Sequence, residues 1–258
     1  MSDVCVWLYA VVRKESSDPQ FPAGVDGERV RVVSNGELAA LVGDVDAGRF
    51  GPEALKRNLE QMDWLDRVAR AHDTVVRVAA GRGAVVPVRL ATLFQDDDAV
   101  RATLDERRAE FGTVLDAVTG RVEWGVKAYL DPGALAENAP TSGRAGQPDS
   151  GSAYLMRRRA QLTAKRHLEN EATQWTRAAH ARLCGVCAAS RVHRLQSAQL
   201  SGRGDSMVLN ASYLVDEERE RELRTLVDEL AVRHKGLAIE LTGPWPPYSF
   251  AAAGARND

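Results

Sequence analysis

The densest grouping of chemically capable side chains lies at residues 180–193, HARLCGVCAASRVH. It holds two imidazoles and two thiols: His180, Cys184, Cys187 and His193. Zinc takes such a set only when all four groups converge tetrahedrally, most easily on a tight knuckle between strands. Cys184-Gly185-Val186-Cys187 is also a CxxC, the spacing of many thiol–disulfide exchange sites. These cysteines fall at the end of a long helical pattern, however. Thiolate activation uses the positive N-terminal end of a helix, and the C-terminal end biases the other way. The expectation is that they pack as small residues at a helix exit, with no metal and no cofactor.

Other groupings are weaker. Gly81-Arg82-Gly83 has the composition of a phosphate loop, but it leads from helix into strand and its third glycine is missing. The carboxylates of Asp96, Asp97 and Asp98 are consecutive and point apart, which suits helix capping better than a cation. Arg203-Gly204-Asp205, in the turn-rich stretch SGRGDS, reads as a chance match. GxSxG, HExxH and Walker sequences do not occur. His72 and His234 read as solvated or capping imidazoles near helix ends, and Asp73 beside His72 makes no assembled acid–base pair. An enzymatic role is unsupported.

The elements that must position these groups follow from periodicity. Residues 4–12 are dense in apolar and β-favouring residues and read as a strand; 29–33, the turn Asn35-Gly36 and 38–42 read as a hairpin. From Pro52 the spacing becomes helical, with Leu55, Leu59, Met62, Leu65, Val68 and Ala69 on one face. A short strand at 85–90 follows, confined by Pro87 to an edge or a bulge. A helix comes after the acidic triplet, and a strand at 122–130 closes this half. Residues 131–152 are rich in Pro, Gly and Ser and read as a linker. A long helix then spans 154–186, and strands at 190–195 and 207–214, a helix at 216–233 and a last strand at 237–241 complete the chain.

The fold class expected is α+β, with two domains, each a modified ferredoxin-like antiparallel sheet covered by helices. The domains are placed at 1–130 and 153–250, and 251–258 is read as a disordered tail. The basic start of the long helix, Arg157-Arg158-Arg159 with Lys165 and Arg166, and the acidic start of the later one, from Asp216 to Glu222, read as solvated faces that complement helix dipoles or each other.

Hydrophobic residues make up 44% of the 258 and charged residues 27%, which excludes wholesale disorder. The 34 basic and 36 acidic residues nearly cancel, leaving no reason to expect nucleic acid as the main partner. No stretch reaches the roughly 20 apolar residues that span a bilayer, and the start MSDVCVWLYAVV lacks the basic opening of a signal peptide. Three cysteines make no disulfide framework. The reading is a cytoplasmic protein without membrane insertion.

Near the end stands LTGPWPPYSF, 241–250. Pro244, Pro246 and Pro247 stiffen it and hold Trp245, Tyr248 and Phe250 in an extended piece that plugs the protein's own core or meets a partner. The expected outcome is mostly packing, along the domain seam: Trp245 as the buried anchor, and Tyr248 with its hydroxyl at a wet rim available to a partner.

Several stretches together resemble the gas vesicle protein F/L family: VWLYAVV, AHDTVV followed by VVPVRLATLF, VEWGVKAYL, SGSAYLMRRR and LTGPWPPYSF. The likeness runs from about Val4 to Phe250. It implies a two-domain α+β protein that acts on the small hydrophobic shell subunit of gas vesicles, as an assembly or minor structural component and not as an enzyme. Other gas vesicle accessory proteins are further implied partners, and the vesicle is the implied location. Candidate partner contacts are Trp245, Tyr248 and Phe250, with Arg89, Arg157 and Arg158 from the other motifs. One departure stands out: the family often has Arg-Phe-Gly-Thr where this chain has Arg89-Leu90-Ala91-Thr92, and alanine is ill suited to the φ > 0 conformations open to glycine. The competing class is a small-molecule enzyme or sensor on the same modules, using the Cys/His cluster for a metal or redox site.

Overall fold

The apolar run at the start forms β1 (Val4–Arg13), whose residues Val6 to Val11 are all buried, as a strand in the middle of a sheet must be. The computed structural model describes residues 4–14, 20–130, 151–196, 206–234 and 236–251, and between 151 and 169 only the side chains of Arg158, Arg159 and Thr163. The linker expected at 131–152 lies outside these residues apart from its last two, which open a helix; of the tail, only Ala251 is described.

β1 pairs antiparallel with β3 (Leu38–Asp46), with one irregularity between Leu8 and Ala10. β2 (Arg31–Asn35) and β3 form the expected hairpin, and Gly36 takes a φ of 63° in its tight turn. β4 (Val85–Pro87) and β5 (Leu93–Phe94) pair with the other side of β1. Pro87, which has no N–H to give, sits on an edge strand as expected. The order β4-β1-β3-β2 is ferredoxin-like. It is modified in one respect: no helix joins β1 to β2 among the described residues, although β1 and β3 keep the antiparallel pairing of a ferredoxin-like sheet.

Three helices follow β3: α1 (Ala47–Phe50), α2 (Pro52–Asn58) and α3 (Met62–Ala80). The single apolar face expected from Pro52 onward does not form, because the chain breaks between α2 and α3 and leaves Leu59 and Met62 exposed. The face α3 buries is Trp64, Val68, His72, Val75, Val76 and Ala79. His72, expected near a helix end and solvated, is instead in the interior of α3. Its Nδ1 accepts the Trp7 indole N–H at 3.0 Å. α4 (Asp97–Glu106) and α5 (Arg108–Val118) complete this part. The acidic triplet caps and braces: Asp96 accepts from the Ala99 N–H, Asp97 pairs with Arg31 at 2.8 Å and Asp98 with Arg101 at 2.7 Å.

β6 (Arg121–Leu130), read from sequence as closing the first half, belongs to the second sheet, whose order is β7-β8-β6-β9. It precedes α6 (Gly151–Cys184), β7 (Ala189–Val192), β8 (Met207–Asp216), a 3-10 turn at Glu217–Arg219, α7 (Glu220–Arg233) and β9 (Leu237–Trp245). With β6 restored, the second part has the full βαββαβ element order and the ferredoxin-like strand order. Its core is built by Trp124, Val126 and Ala128 of β6, Trp175, Ala179 and Leu183 of α6, Leu209 and Tyr213 of β8, and Leu223, Val227 and Leu230 of α7.

The compact units divide the chain at other points than 1–130 and 153–250. The first combines Met1–Glu123 with Pro244–Asp258, and the second is Trp124–Gly243. Proline explains where β9 stops contributing to the second unit: β9 lies at a sheet edge, and from Pro244 onward the chain is committed to another path. Among the described residues no helix is long and apolar enough to cross a membrane.

Candidate partner-binding site on the closing segment

Residues 244–251 leave β9 and turn sharply. The Tyr248 N–H donates to the Pro246 carbonyl at 2.7 Å, and the Phe250 and Ala251 N–H groups donate to the Pro247 carbonyl at 3.0 and 2.9 Å. Pro246 and Pro247 are buried, so the prolines themselves are the packed part of this turn. Within the first unit the segment meets α3, where Asp73 and Arg77, one turn apart, are ion-paired at 2.5 Å.

Tyr248 and Trp245 divide that pair. The Tyr248 hydroxyl donates to Asp73 Oδ1 at 3.2 Å while its ring packs on the first unit's core. Burial, and the Asp73 carboxylate beside it, hold the phenol protonated by raising its pKa. The Arg77 guanidinium stands over the Trp245 ring, 4.3 Å from its centroid. Next in line, the Ser249 N–H and hydroxyl donate to the two oxygens of Glu123 at 2.8 and 2.5 Å. Glu123 is one of the few buried charged residues, and these two donors account for both its oxygens.

The burial expected of the two aromatics is thereby reversed. Trp245 keeps 38% of its surface exposed, whereas Tyr248 is the half-buried anchor. The reason is geometric: Trp245 still belongs to the exposed end of edge strand β9, and only beyond the two buried prolines does the chain reach the core. Phe250 is half-buried. Arg89 is exposed in the turn after β4, its carbonyl accepting from the Thr92 hydroxyl at 2.7 Å. Arg158 is exposed on α6, and the Arg157 side chain lies outside the described residues. Asp73, Arg77 and Glu123 were not singled out by sequence reasoning as site residues. The i,i+4 pairing of Asp73 with Arg77 was a readable signal, but nothing local pointed to a tyrosine far along the chain.

Ala91, beside Arg89, has a φ of 65° and is the sole non-glycine residue with positive φ among those described. The expectation that alanine would avoid this conformation is corrected. The Leu8 N–H donates to the Thr92 carbonyl at 2.9 Å, tying the turn back to β1 and holding Ala91 in place.

The Cys/His cluster is only partly assembled. Cys184 Sγ lies 3.6 Å from His180 Nε2 and 3.3 Å from the Ser190 hydroxyl, whereas His193 Nε2 is engaged with the Ser212 hydroxyl at 2.8 Å. Among the described residues no three His, Cys, Asp or Glu side chains are grouped to hold a metal. The acidic residues of α7 are partly spent within the second unit: Glu222 on Arg219 at 2.8 Å and Glu229 on Arg182 at 3.0 Å. Arg203-Gly204-Asp205 lies outside the described residues.

Comparison with known proteins supplies the context for this geometry. A family model described as gas vesicle synthesis protein GvpL/GvpF matches residues 5–252. The chain belongs to the GvpL/GvpF family. It is 39% identical to gas vesicle protein L of Streptomyces sp. (strain CB03234), over 99% of this chain and 96% of that protein. It is 30% identical to gas vesicle protein F of the same strain, over 95% and 98% of the two chains. The crystal structure of GvpF from Anabaena sp. PCC7120 superposes with a TM-score of 0.70 at 17% identity, covering 97% of this chain and 99% of that one. That likeness establishes the GvpF-type α+β fold with its two sheets.

Proposed function

We propose that this GvpL/GvpF member is an accessory or minor structural protein of gas vesicle assembly that binds the hydrophobic shell subunit and assists nucleation or growth of the shell. The observation that carries the reading is the family match over residues 5–252, whose description is gas vesicle synthesis. A shell subunit must bury extensive apolar surface and would aggregate if released without an escort. The half-exposed Trp245, stiffened by its flanking prolines and backed by Arg77, suits that task. Aromatic and arginine side chains carry much of the energy of interfaces, and a preset conformation lowers the entropy cost of binding.

The role is one of binding at the vesicle. No reaction, cofactor, nucleic acid or membrane insertion is part of it, and other vesicle accessory proteins are further candidate partners. Co-expression with the shell subunit followed by pull-down tests the reading. A complex that persists at low and moderate salt and weakens with Trp245→Ala is expected; the absence of any complex at either salt concentration would overturn it.

A further inference from the structure

The exit of α6 carries an assembly that the binding role does not use. Cys184 is the last residue of α6, and its sulfur faces His180 Nε2 at 3.6 Å. The opposite ring nitrogen, Nδ1, is 2.8 Å from the Tyr213 hydroxyl. The Tyr213 hydroxyl thereby fixes the orientation of the ring, with Nε2 the nitrogen nearer the sulfur. Cys187 Sγ lies 3.7 Å from the Cys184 carbonyl, which keeps the two residues of the CxxC on the same turn. Both cysteines are partly exposed, within reach of a small oxidant.

We propose that Cys184 and Cys187 form a reversible dithiol–disulfide site for hydrogen peroxide, with Cys184 as the attacking thiol, Cys187 as the resolving thiol, and His180, oriented by Tyr213, positioning the sulfur. The end of the helix offers no electrostatic help to the sulfur, and the imidazole of His180 is the polar group set beside it instead. The Cys184 thiolate attacks one peroxide oxygen, the O–O bond breaks, and the departing hydroxide takes up a proton to become water, leaving a sulfenic acid. The Cys187 sulfur then attacks the sulfenic sulfur. The S–S bond forms, hydroxide leaves, and the thiol proton converts it to a second water. The sum is two thiols and one peroxide giving one disulfide and two waters. Burial pushes the Cys187 thiol up to about 11, so it remains protonated and does not compete for the first step.

The test uses the reduced full-length chain with one equivalent of hydrogen peroxide, followed by alkylation and tryptic mapping. Peptide 183–191 holds both cysteines and excludes Cys5. In the folded wild type it should become lighter by two hydrogens and recover on addition of dithiothreitol. Cys187→Ser should trap a dimedone-reactive sulfenic acid on Cys184, and His180→Gln should slow oxidation about tenfold. Oxidation of Cys5 ahead of this peptide, or a Cys187→Ser chain whose Cys184 takes no dimedone, would overturn the proposal. The wild-type mapping stands whether or not a variant folds, and it requires no shell subunit, so its outcome is separate from that of the binding experiment.

Discussion

Tyr248 donates its hydroxyl to Asp73 across 175 positions of sequence, and the ring that carries that hydroxyl is packed on the core made by β1 and α3. Tyr248 is therefore a structural fastener of the first unit. Trp245, three residues earlier, is a surface group.

The two aromatics should separate in experiment. Tyr248→Ala should destabilise the protein by about 3 kcal/mol, the order expected for losing a large packed side chain. Tyr248→Phe should cost about 1 kcal/mol, the worth of one hydrogen bond. Trp245→Ala should cost no more than about 1 kcal/mol from its contact with Arg77, while lowering affinity for the shell subunit at least tenfold. Urea unfolding alongside a binding titration checks both. A Trp245→Ala chain as unstable as Tyr248→Ala would contradict the assignment.

Ala91 is held at a φ of 65°, a conformation that costs an L-residue about 1 kcal/mol or more. Glycine relieves that strain but adds entropy to the unfolded chain. Ala91→Gly is expected to raise stability slightly, by up to about 1 kcal/mol, with a matching rise in Tm. Ala91→Val should move Tm the other way.

His72 sets a pH dependence. Burial lowers its pKa from 6.5 to about 4 in the folded protein. Its buried Nε2 has no hydrogen-bond partner among the described residues, and the nearby Val88 backbone and Asp73 carboxylate only partly offset the effect of burial. The unfolded chain takes up a proton as pH falls through 6.5, whereas the folded chain does so only near 4. Stability from this group is thus complete above 6.5 and declines across the window down to 4. The loss is on the order of 3 kcal/mol. His72→Gln keeps an acceptor for the Trp7 indole and removes the titration. Its unfolding free energy should fall less steeply between pH 6.5 and 4 than that of the wild type, as urea midpoints at several pH values would show.

Much of this fold was legible because local rules decided it. Asn35-Gly36 specified the hairpin, Pro87 an edge strand and Asp96 a helix cap, each through backbone chemistry confined to a few residues. What was not legible was partnership. A strand's apolar pattern shows that it is buried without saying in which sheet, and β6 was accordingly placed with its sequence neighbours when its ladder partners lie far along the chain. The same limit reversed the burial expected of Trp245 and Tyr248. Their chemistry was evident, but the direction of the chain after Pro246 and Pro247 was not. His72 was missed because an imidazole in an apolar face is read as a surface group until its tryptophan partner, 65 positions away, is known.

The discontinuity of the first unit bears on how the protein is made. Glu123 leaves the ribosome well before Ser249, and at ordinary elongation rates of roughly 5–20 residues per second the interval is on the order of ten seconds. During that time a carboxylate destined for the interior has neither of its donors, and α3 lacks the tyrosine that fastens it. The entire second unit is synthesised inside this wait. The nascent amino-terminal part therefore remains unfinished until translation is almost complete, and a ribosome stalled in α7 would display a half-closed sheet-and-helix unit with its apolar seat for Tyr248 open to chaperones.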